Sequence, residues 1–575
     1  MGAGVTTMLK KNYPALIIAA AVGFIMLLPQ LFLIADLGNQ YQGIAITEID
    51  NDDFYYSRIK DAYDGKLLIS SPRIYNPDRV PAAIPGFGEF LVALVAHIVQ
   101  VSVGTMAVVG SFLFPAILYL VLFFFTRTVT GRPLLALLAP ATIILASNIA
   151  FFPAELIKLF TEPAALTPSA YLRPIHPQIS SILFFSFLWA WYLAWDRHQW
   201  RYTIASGVLF GALFYTYLYA WTFAVVFLGL HVLLLLIKRE YQRALQMAAI
   251  VAIGALVSIG YWWNYLSVAS LPSYSELTKR FGFYDSRKPF FSTFLLLDAV
   301  LISLCAFFRK WSGRAITLCL TLVLTSVIVI NQQVVSGIRF FPGHYHWYYI
   351  VPISTLIILW AVYEWLASWR PRALLTIFLV GAALVAGVNG IVSQYQYYLR
   401  ERPAYADAQR YTAVYQWINE NVEPGAVVLV HEGKLADKLT VFTSVYSYLP
   451  HRTDRQYVIA QSYFRHTYFT KLYLDGDRDP ENAVRADDYT LMYTLFGYYN
   501  LYRYDCYACF SEPELQQLKD DYREYLQNDF NANLKKYKVN YALWDTKSGT
   551  GWNLDEYHFM QFITEINGVR IYQVS

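Results

Sequence analysis

Runs of apolar residues fill the first two thirds of the chain, and mixed polar sequence replaces them after about residue 396. About eleven runs predict helices that cross a membrane: 14–36, 104–126, 133–152, 178–196, 202–218, 220–237, 244–266, 290–308, 315–331, 346–367 and 373–395. Most approach the roughly 20 residues that a bilayer's hydrocarbon layer demands. One further run, 87–101, is too short and carries Glu89 and His97. It reads as an interfacial helix, with the start of one long bent span into 104–126 as the alternative. After 396 the pattern becomes that of a folded α/β unit. Ala408 to Asn421 alternates as an amphipathic helix, Pro424-Gly425 turns, and 426–430 reads as a strand. A helix over 516–536 and closing strands over 539–544 and 568–574 follow. The expected architecture is an α-helical polytopic membrane domain over 1–396 with a C-terminal α/β domain over 397–575.

Charge placement orients these segments. Lys10 and Lys11 precede the first run, and every second loop is short and basic: Arg127 with Arg132, Arg197 with Arg201, Lys238-Arg239 with Arg243, Arg309-Lys310 with Arg314, and Arg370 with Arg372. Basic loops stay cytoplasmic, so the N-terminus is expected inside and the C-terminal domain on the extracytoplasmic face. The first run is too long for a cleaved leader, lacks a small-residue cleavage site and reads as an anchor. Composition agrees: 56% of residues are hydrophobic and 17% aromatic, far beyond the needs of a soluble core. The net charge of +4 is used by topology and implies no nucleic-acid partner.

Candidate chemistry gathers in the loops expected outside. The loop 37–103 is too long for a connector, and it places Glu48, Asp50, Asp52 and Asp53 within six positions. A helix from Asp53 to a stop at Gly65 is predicted behind them. Such a helix needs one acid at its N-cap, and that reading of Asp52 or Asp53 stays open; a cap does not use four. The loop 153–177 offers Glu162, Arg173 and His176. A guanidinium there suits a phosphate, with lipid headgroups as the competing partner. The loop 331–347 offers Arg339, His344 and His346. His-x-His alone is a weak metal signal, and contacts to phosphate or sugar are the preferred reading. The segment 267–290 is mixed in charge and open to a lid role. Cys506 and Cys509 read as a disulfide or free thiols, whereas Cys305 and Cys319 sit in apolar runs as core residues. Asp298, alone within a predicted span, should face a cavity or partner. It is the key residue if the chain is instead a transporter or lipid-linked-saccharide flippase.

Many spans, with acids, arginines and a soluble domain sharing one face, suit an enzyme whose substrate the membrane presents. Asp52-Asp53-Phe54-Tyr55-Tyr56-Ser57-Arg58 resembles the acidic segment in the first outer loop of the GT-C superfamily of integral-membrane glycosyltransferases. It is similar to that of oligosaccharyltransferase catalytic subunits, and to the paired-acid motif of protein mannosyltransferase and aminoarabinose transferase relatives. The resemblance implies a GT-C fold, a polyprenyl-phosphate-linked sugar donor, and a protein, lipid or glycan acceptor. It makes Asp53 and Asp52 catalytic, Asp53 first. It gives substrate-binding roles to Asp50, Arg58, Glu162, Arg173, His176, Arg339, His344 and His346. If a divalent ion (Mg or Mn) takes part, Asp50 and Asp52 are its expected ligands. The tail departs from the oligosaccharyltransferase pattern, since Trp544-Asp545 only partly echoes the Trp-Trp-Asp signature. Transfer of a single sugar is therefore expected rather than of a whole oligosaccharide.

Overall fold

The structure, a computed structural model, describes residues 2–47, 52–66, 74–75, 81–368, 372–430, 433–449, 458–485, 491, 496–506, 509–548 and 551–575. All eleven apolar runs form helix. Among the described residues, seven helices are long and apolar enough to cross a membrane: Asn12–Gln40, Val103–Thr130, Pro174–Arg197, Leu218–Ile237, Gly313–Ile330, Pro342–Ser368 and Ala373–Asn421. Tyr241–Val257 and Ile259–Ala269 bend by 54° and make an eighth if they form one broken span. Pro133–Leu145, Trp200–Phe214 and Thr293–Phe307 are helices of 13, 15 and 15 residues. This is a multi-pass membrane protein.

Five helices open the chain: α1 (Gly2–Leu37), α2 (Asp52–Tyr63), α3 (Phe87–Val99), α4 (Val103–Thr130) and α5 (Pro133–Leu145). α1 lies along α4 and the long helix Arg372–Ala408. Elsewhere in the bundle, small residues let backbones meet. A Cβ on Gly211 would stand 2.4 Å from Val257 Cβ and 3.0 Å from the Gly254 carbonyl oxygen, so only glycine permits this approach of Trp200–Phe214 to Tyr241–Val257. The run 87–101 forms α3, which buries Gly88, Val92, Ala93 and Ala96 and exposes Phe90, Leu94 and Ile98.

The helix Arg372–Ala408 passes residue 396 without a break and leads through a short 3-10 turn into Thr412–Asn421. Beyond it a five-stranded sheet has the order β4-β3-β5-β7-β6. The strands are β3 (Val427–Val430), β4 (Tyr446–Ser447), β5 (Val539–Asp545), β6 (Met560–Ile566) and β7 (Val569–Val574). β3 is buried throughout and pairs in parallel with β4 and β5, which explains its unbroken apolar run. β6 and β7 join through Asn567-Gly568, both at positive φ (54° and 87°), the demand of a two-residue hairpin turn. The expected helix over 516–536 is two: Glu512–Gln527, opened by a Ser511/Glu514 capping box, and Phe530–Lys535. Cys506 and Cys509 form a disulfide, and Cys305 and Cys319 are buried thiols.

The C-terminal sheet does not hang free of the bundle. Phe54, Tyr55 and Ile59 of α2 and Val92 of α3 share one apolar core with Val427, Leu429, Phe464 and Leu518. The segment 267–290 is drawn into the same junction. Its helix Tyr274–Arg280 ends in Arg280, 2% exposed, whose guanidinium donates to Gln461 Oε1 (3.1 Å) and to the Ile459 carbonyl oxygen (2.6 Å). β1 (Tyr284–Asp285) then pairs antiparallel with β2 (Ile338–Arg339), tying this segment to the loop 331–347.

Candidate active site

α2 is the element on which the site is built. Asp53, Phe54, Tyr55, Tyr56, Ser57, Arg58 and Ile59 are all buried, so the helix is enclosed rather than laid on a surface. Gly65 at φ +87° ends it, with the Lys66 amide returning to the Asp61 carbonyl at 2.9 Å. Two ionic contacts fix its rotation. Arg58 Nε donates to Glu89 Oε1 of α3 at 2.5 Å with both side chains 1% exposed, and Arg58 Nη2 reaches the Ile84 carbonyl oxygen at 2.9 Å. Asp53 Oδ1 accepts from Thr47 Oγ1 at 2.7 Å and from Lys438 Nζ at 2.6 Å.

Lys438 lies on the helix Gly433–Phe442 of the C-terminal domain. Its ammonium also donates to Thr47 Oγ1 and to Tyr405 OH (3.3 Å), and Tyr405 OH accepts from the Thr47 amide at 3.1 Å. Two residues on, Thr440 meets Ser57 of α2 through their hydroxyls at 2.8 Å. Asp53 is therefore not an N-cap. Its carboxylate faces a buried ammonium instead of the first turn's amides.

Two residues beyond Asp53 on α2, Tyr55 enters a second cluster. Its ring packs edge-on against His176 at 5.3 Å, and the Arg173 guanidinium lies 5.9 Å from its centroid. Burial, opposed by the Arg173 charge, pushes the Tyr55 hydroxyl up to about 12, so it stays a neutral donor. His176 leaves helical geometry (φ −126°, ψ 112°) inside the π-helical turn Pro174–Ile179 and stacks on Tyr217 at 3.9 Å. π turns of this kind put side chains where a regular helix cannot. Tyr217 OH and His344 Nδ1 share a hydrogen bond of 2.6 Å, and Arg173 Nη1 donates to Tyr348 OH at 3.3 Å. Arg173, His176 and His344, from two loops far apart in sequence, thus meet around Tyr55, Tyr217 and Tyr348.

The remaining expected residues scatter. Arg339 sits on β2 against the Tyr284 ring at 5.9 Å. His346 points toward Phe294, with rings 5.7 Å apart, so the two histidines of His-x-His do not share a ligand. Glu162 is exposed at the end of the helix Glu155–Thr161. The buried acid of that loop is Glu155, which accepts from Lys158 and from the Thr167 amide, both at 2.8 Å. Asp298 is fully buried and accepts from Ser354 Oγ at 2.5 Å. Trp544-Asp545 ends β5, where Arg410 and Tyr411 hold the Asp545 carboxylate. Burial would raise its pKa, but those donors outweigh burial and hold it below the usual carboxylate range. Asp50 and the side chain of Asp52 lie outside the described residues.

At Asp53 an ammonium already takes one carboxylate oxygen, and the expected divalent-ion ligands Asp50 and Asp52 fall outside the described side chains. Among the described residues no group of three or more His, Cys, Asp or Glu side chains could hold one. Lys438, Tyr405, Thr47, Glu89 and Tyr217 go unnoticed as site residues in the sequence. Glu89 alone leaves a signal, as a lone acid in an apolar run; nothing local marks the others.

No protein-family model matches the chain, and no curated protein matches it. Solved structures do resemble it. ArnT from Cupriavidus metallidurans bound to undecaprenyl phosphate superposes with a TM-score of 0.48 at 10% identity, covering 95% of this chain and 97% of that one. The Archaeoglobus fulgidus oligosaccharyltransferase in its apo form gives 0.46 at 12% identity, covering 97% of this chain and 74% of that one. The archaeal oligosaccharyltransferase AglB from Archaeoglobus fulgidus, in complex with an inhibitory peptide and a dolichol-phosphate, gives 0.46 at 12%, covering 99% and 75%.

Proposed function

We propose that this protein is a membrane glycosyltransferase that moves a sugar from a polyprenyl-phosphate-linked donor to an acceptor on the extracytoplasmic face. The observation that carries the reading is the meeting of Arg173 and His176 at Tyr55, with His344 joined to them through Tyr217, on the same buried helix that presents Asp53. A guanidinium and hydroxyl donors around Tyr55, with a carboxylate two residues back on the same helix, at the junction of a bundle of spans with a folded domain, match the needs of this transfer. The donor's lipid would lie among the spans and its phosphate against Arg173, where a guanidinium can hold two oxygens at once.

In the step itself, the acceptor oxygen bonds to the anomeric carbon as the bond from that carbon to the phosphate oxygen breaks. The electron pair leaves with the phosphate, which Arg173 and the Tyr55 and Tyr348 hydroxyls stabilise. The acceptor's proton passes to a carboxylate of α2, Asp53 or its neighbour Asp52. No divalent ion is assigned to Asp53. The partial Trp544-Asp545 echo of the Trp-Trp-Asp signature favours one sugar per transfer, and the domain division near residue 396 and the outward C-terminal domain belong to the same reading.

Polyprenyl phosphate, the lipid product, provides the test. Its binding to purified full-length protein should weaken about 10–100-fold in Arg173→Ala, by the loss of a charged phosphate contact. Asp53→Asn should leave it within about threefold, since the carboxylate meets the acceptor and not the phosphate. Equal binding by wild type and Arg173→Ala would contradict the assignment.

A further inference from the structure

The cation facing Asp53 comes from 385 residues away in the chain, out of a different domain. Lys438 is 1% exposed and Asp53 8%, and the pair sits among Thr47, Tyr405, Ser57 and Thr440 rather than in solvent. A buried ion pair is a poor device for stability, because desolvation cancels most of the attraction and an apolar pair of similar volume does as well or better. What such a pair does supply is a fixed direction. Oδ1 takes both the ammonium and the Thr47 hydroxyl, whereas no described residue hydrogen-bonds Oδ2. The Ser57–Thr440 contact, one turn along α2, prevents the two helices from rotating against each other.

We infer that Lys438 is a positioning residue of the transfer site: its ammonium is the built-in cation of Asp53, holding Oδ1 so that Oδ2 meets the acceptor. The inference rests on the reading of Asp53 as the group that takes the acceptor's proton. It carries two consequences. Transfer requires the C-terminal domain to be seated on α2, and Asp53 binds no divalent ion, its cation being part of the chain.

The test uses full-length protein in detergent with Lys438→Met, Lys438→Arg, Asp53→Asn and the double variant Asp53→Asn/Lys438→Met. Turnover, donor KM, melting temperature and Mn2+ binding by electron paramagnetic resonance are measured on each. Lys438→Met should lower kcat about 100-fold with donor KM within about threefold, the pattern of a misplaced group rather than a lost substrate contact. Lys438→Arg should recover about a tenth of wild-type kcat, keeping the charge but not the geometry. The double variant should melt closer to wild type than either single one, since no charge is left unpaired, yet remain as inactive as Asp53→Asn. Mn2+ binding should be the same in wild type and Asp53→Asn. If the double variant regains turnover together with its melting temperature, the pair is only scaffold and the inference is overturned. Wild-type kcat in Lys438→Met, or Mn2+ that binds wild type and is lost in Asp53→Asn, overturns it as well. Should Lys438→Met not fold, the double variant decides. Should wild type transfer no sugar, the functional reading fails by itself, and the Mn2+ comparison still decides whether the ammonium is Asp53's cation.

Discussion

Arg58 and Glu89 show how a single charge can be visible in the sequence and its task hidden. Arg58 stands out beside the acids as a candidate substrate contact, yet its Nε is spent on Glu89 at 2.5 Å inside a core where both are 1% exposed. Removing one partner strands the other's charge, so Glu89→Ala should cost about 3–5 kcal/mol, read as a lower melting temperature in detergent. Arg58→Met/Glu89→Leu, which removes both charges, should lie nearer wild type than Glu89→Ala does.

His466 offers a second prediction on the scale of one side chain. It is buried in the C-terminal domain, where Nδ1 shares a hydrogen bond of 2.5 Å with Tyr448 OH and the rings of Tyr525 and Tyr537 surround it. Burial, aided by the charge of Lys536, depresses its pKa from 6.5 to about 3. The unfolded chain therefore takes up the proton first as pH falls. The stability of this domain should be intact above about pH 6.5 and decline by up to about 1.4 kcal/mol per unit toward pH 3. His466→Phe should flatten that decline, as followed by unfolding at a series of pH values; an unchanged slope would contradict the assignment.

At the scale of elements, periodicity and length carry most of what the sequence reveals. All eleven apolar runs are helices and the acidic helix stops at Gly65 as its glycine predicts. What periodicity cannot show is how a run divides: 244–266 bends by 54° at its middle, and 516–536 breaks at Asn528, where the backbone extends and Asp529 caps the next helix. β6 escapes because its outward positions mix polar and apolar residues, although Asn567-Gly568 beside a strand was a legible hairpin signal. Gly211 tests how closely the elements pack. Gly211→Val must push against Val257 and the Gly254 backbone and should destabilise the bundle by about 1–3 kcal/mol. Gly229→Ala, in the helix Leu218–Ile237 with nothing within 4 Å of the added carbon, should melt as wild type does.

On the scale of the whole molecule, the first long loop, the segment 267–290 and the C-terminal domain form one junction, joined by Lys438 with Asp53, Arg280 with Gln461, and a common apolar core. The sequence makes the acids, the arginines and the folded tail individually legible, and charge placement predicts one face for them. It cannot show which of them meet, because positions 53 and 438, or 176 and 217, are brought together only by the packing of distant helices. Orientation is open to a direct check. A cysteine replacing exposed Ser548 of the C-terminal domain should react with a membrane-impermeant maleimide in intact cells, and one replacing exposed Gln199 in a basic loop should not. The native thiols Cys305 and Cys319 are buried and add little background.

Transfer itself is the deciding measurement. Purified wild type, Asp52→Asn, Asp53→Asn and the Asp52→Asn/Asp53→Asn double variant are each given a panel of labelled polyprenyl-phosphate sugars with a membrane extract as acceptor source. Free polyprenyl phosphate and labelled acceptor are counted together. Wild type should produce the two in equal amounts from one donor, and loss of the proton-accepting carboxylate should slow the reaction about 100–10,000-fold. Wild type inert toward every donor, or all three variants transferring at the wild-type rate, would contradict the proposed function.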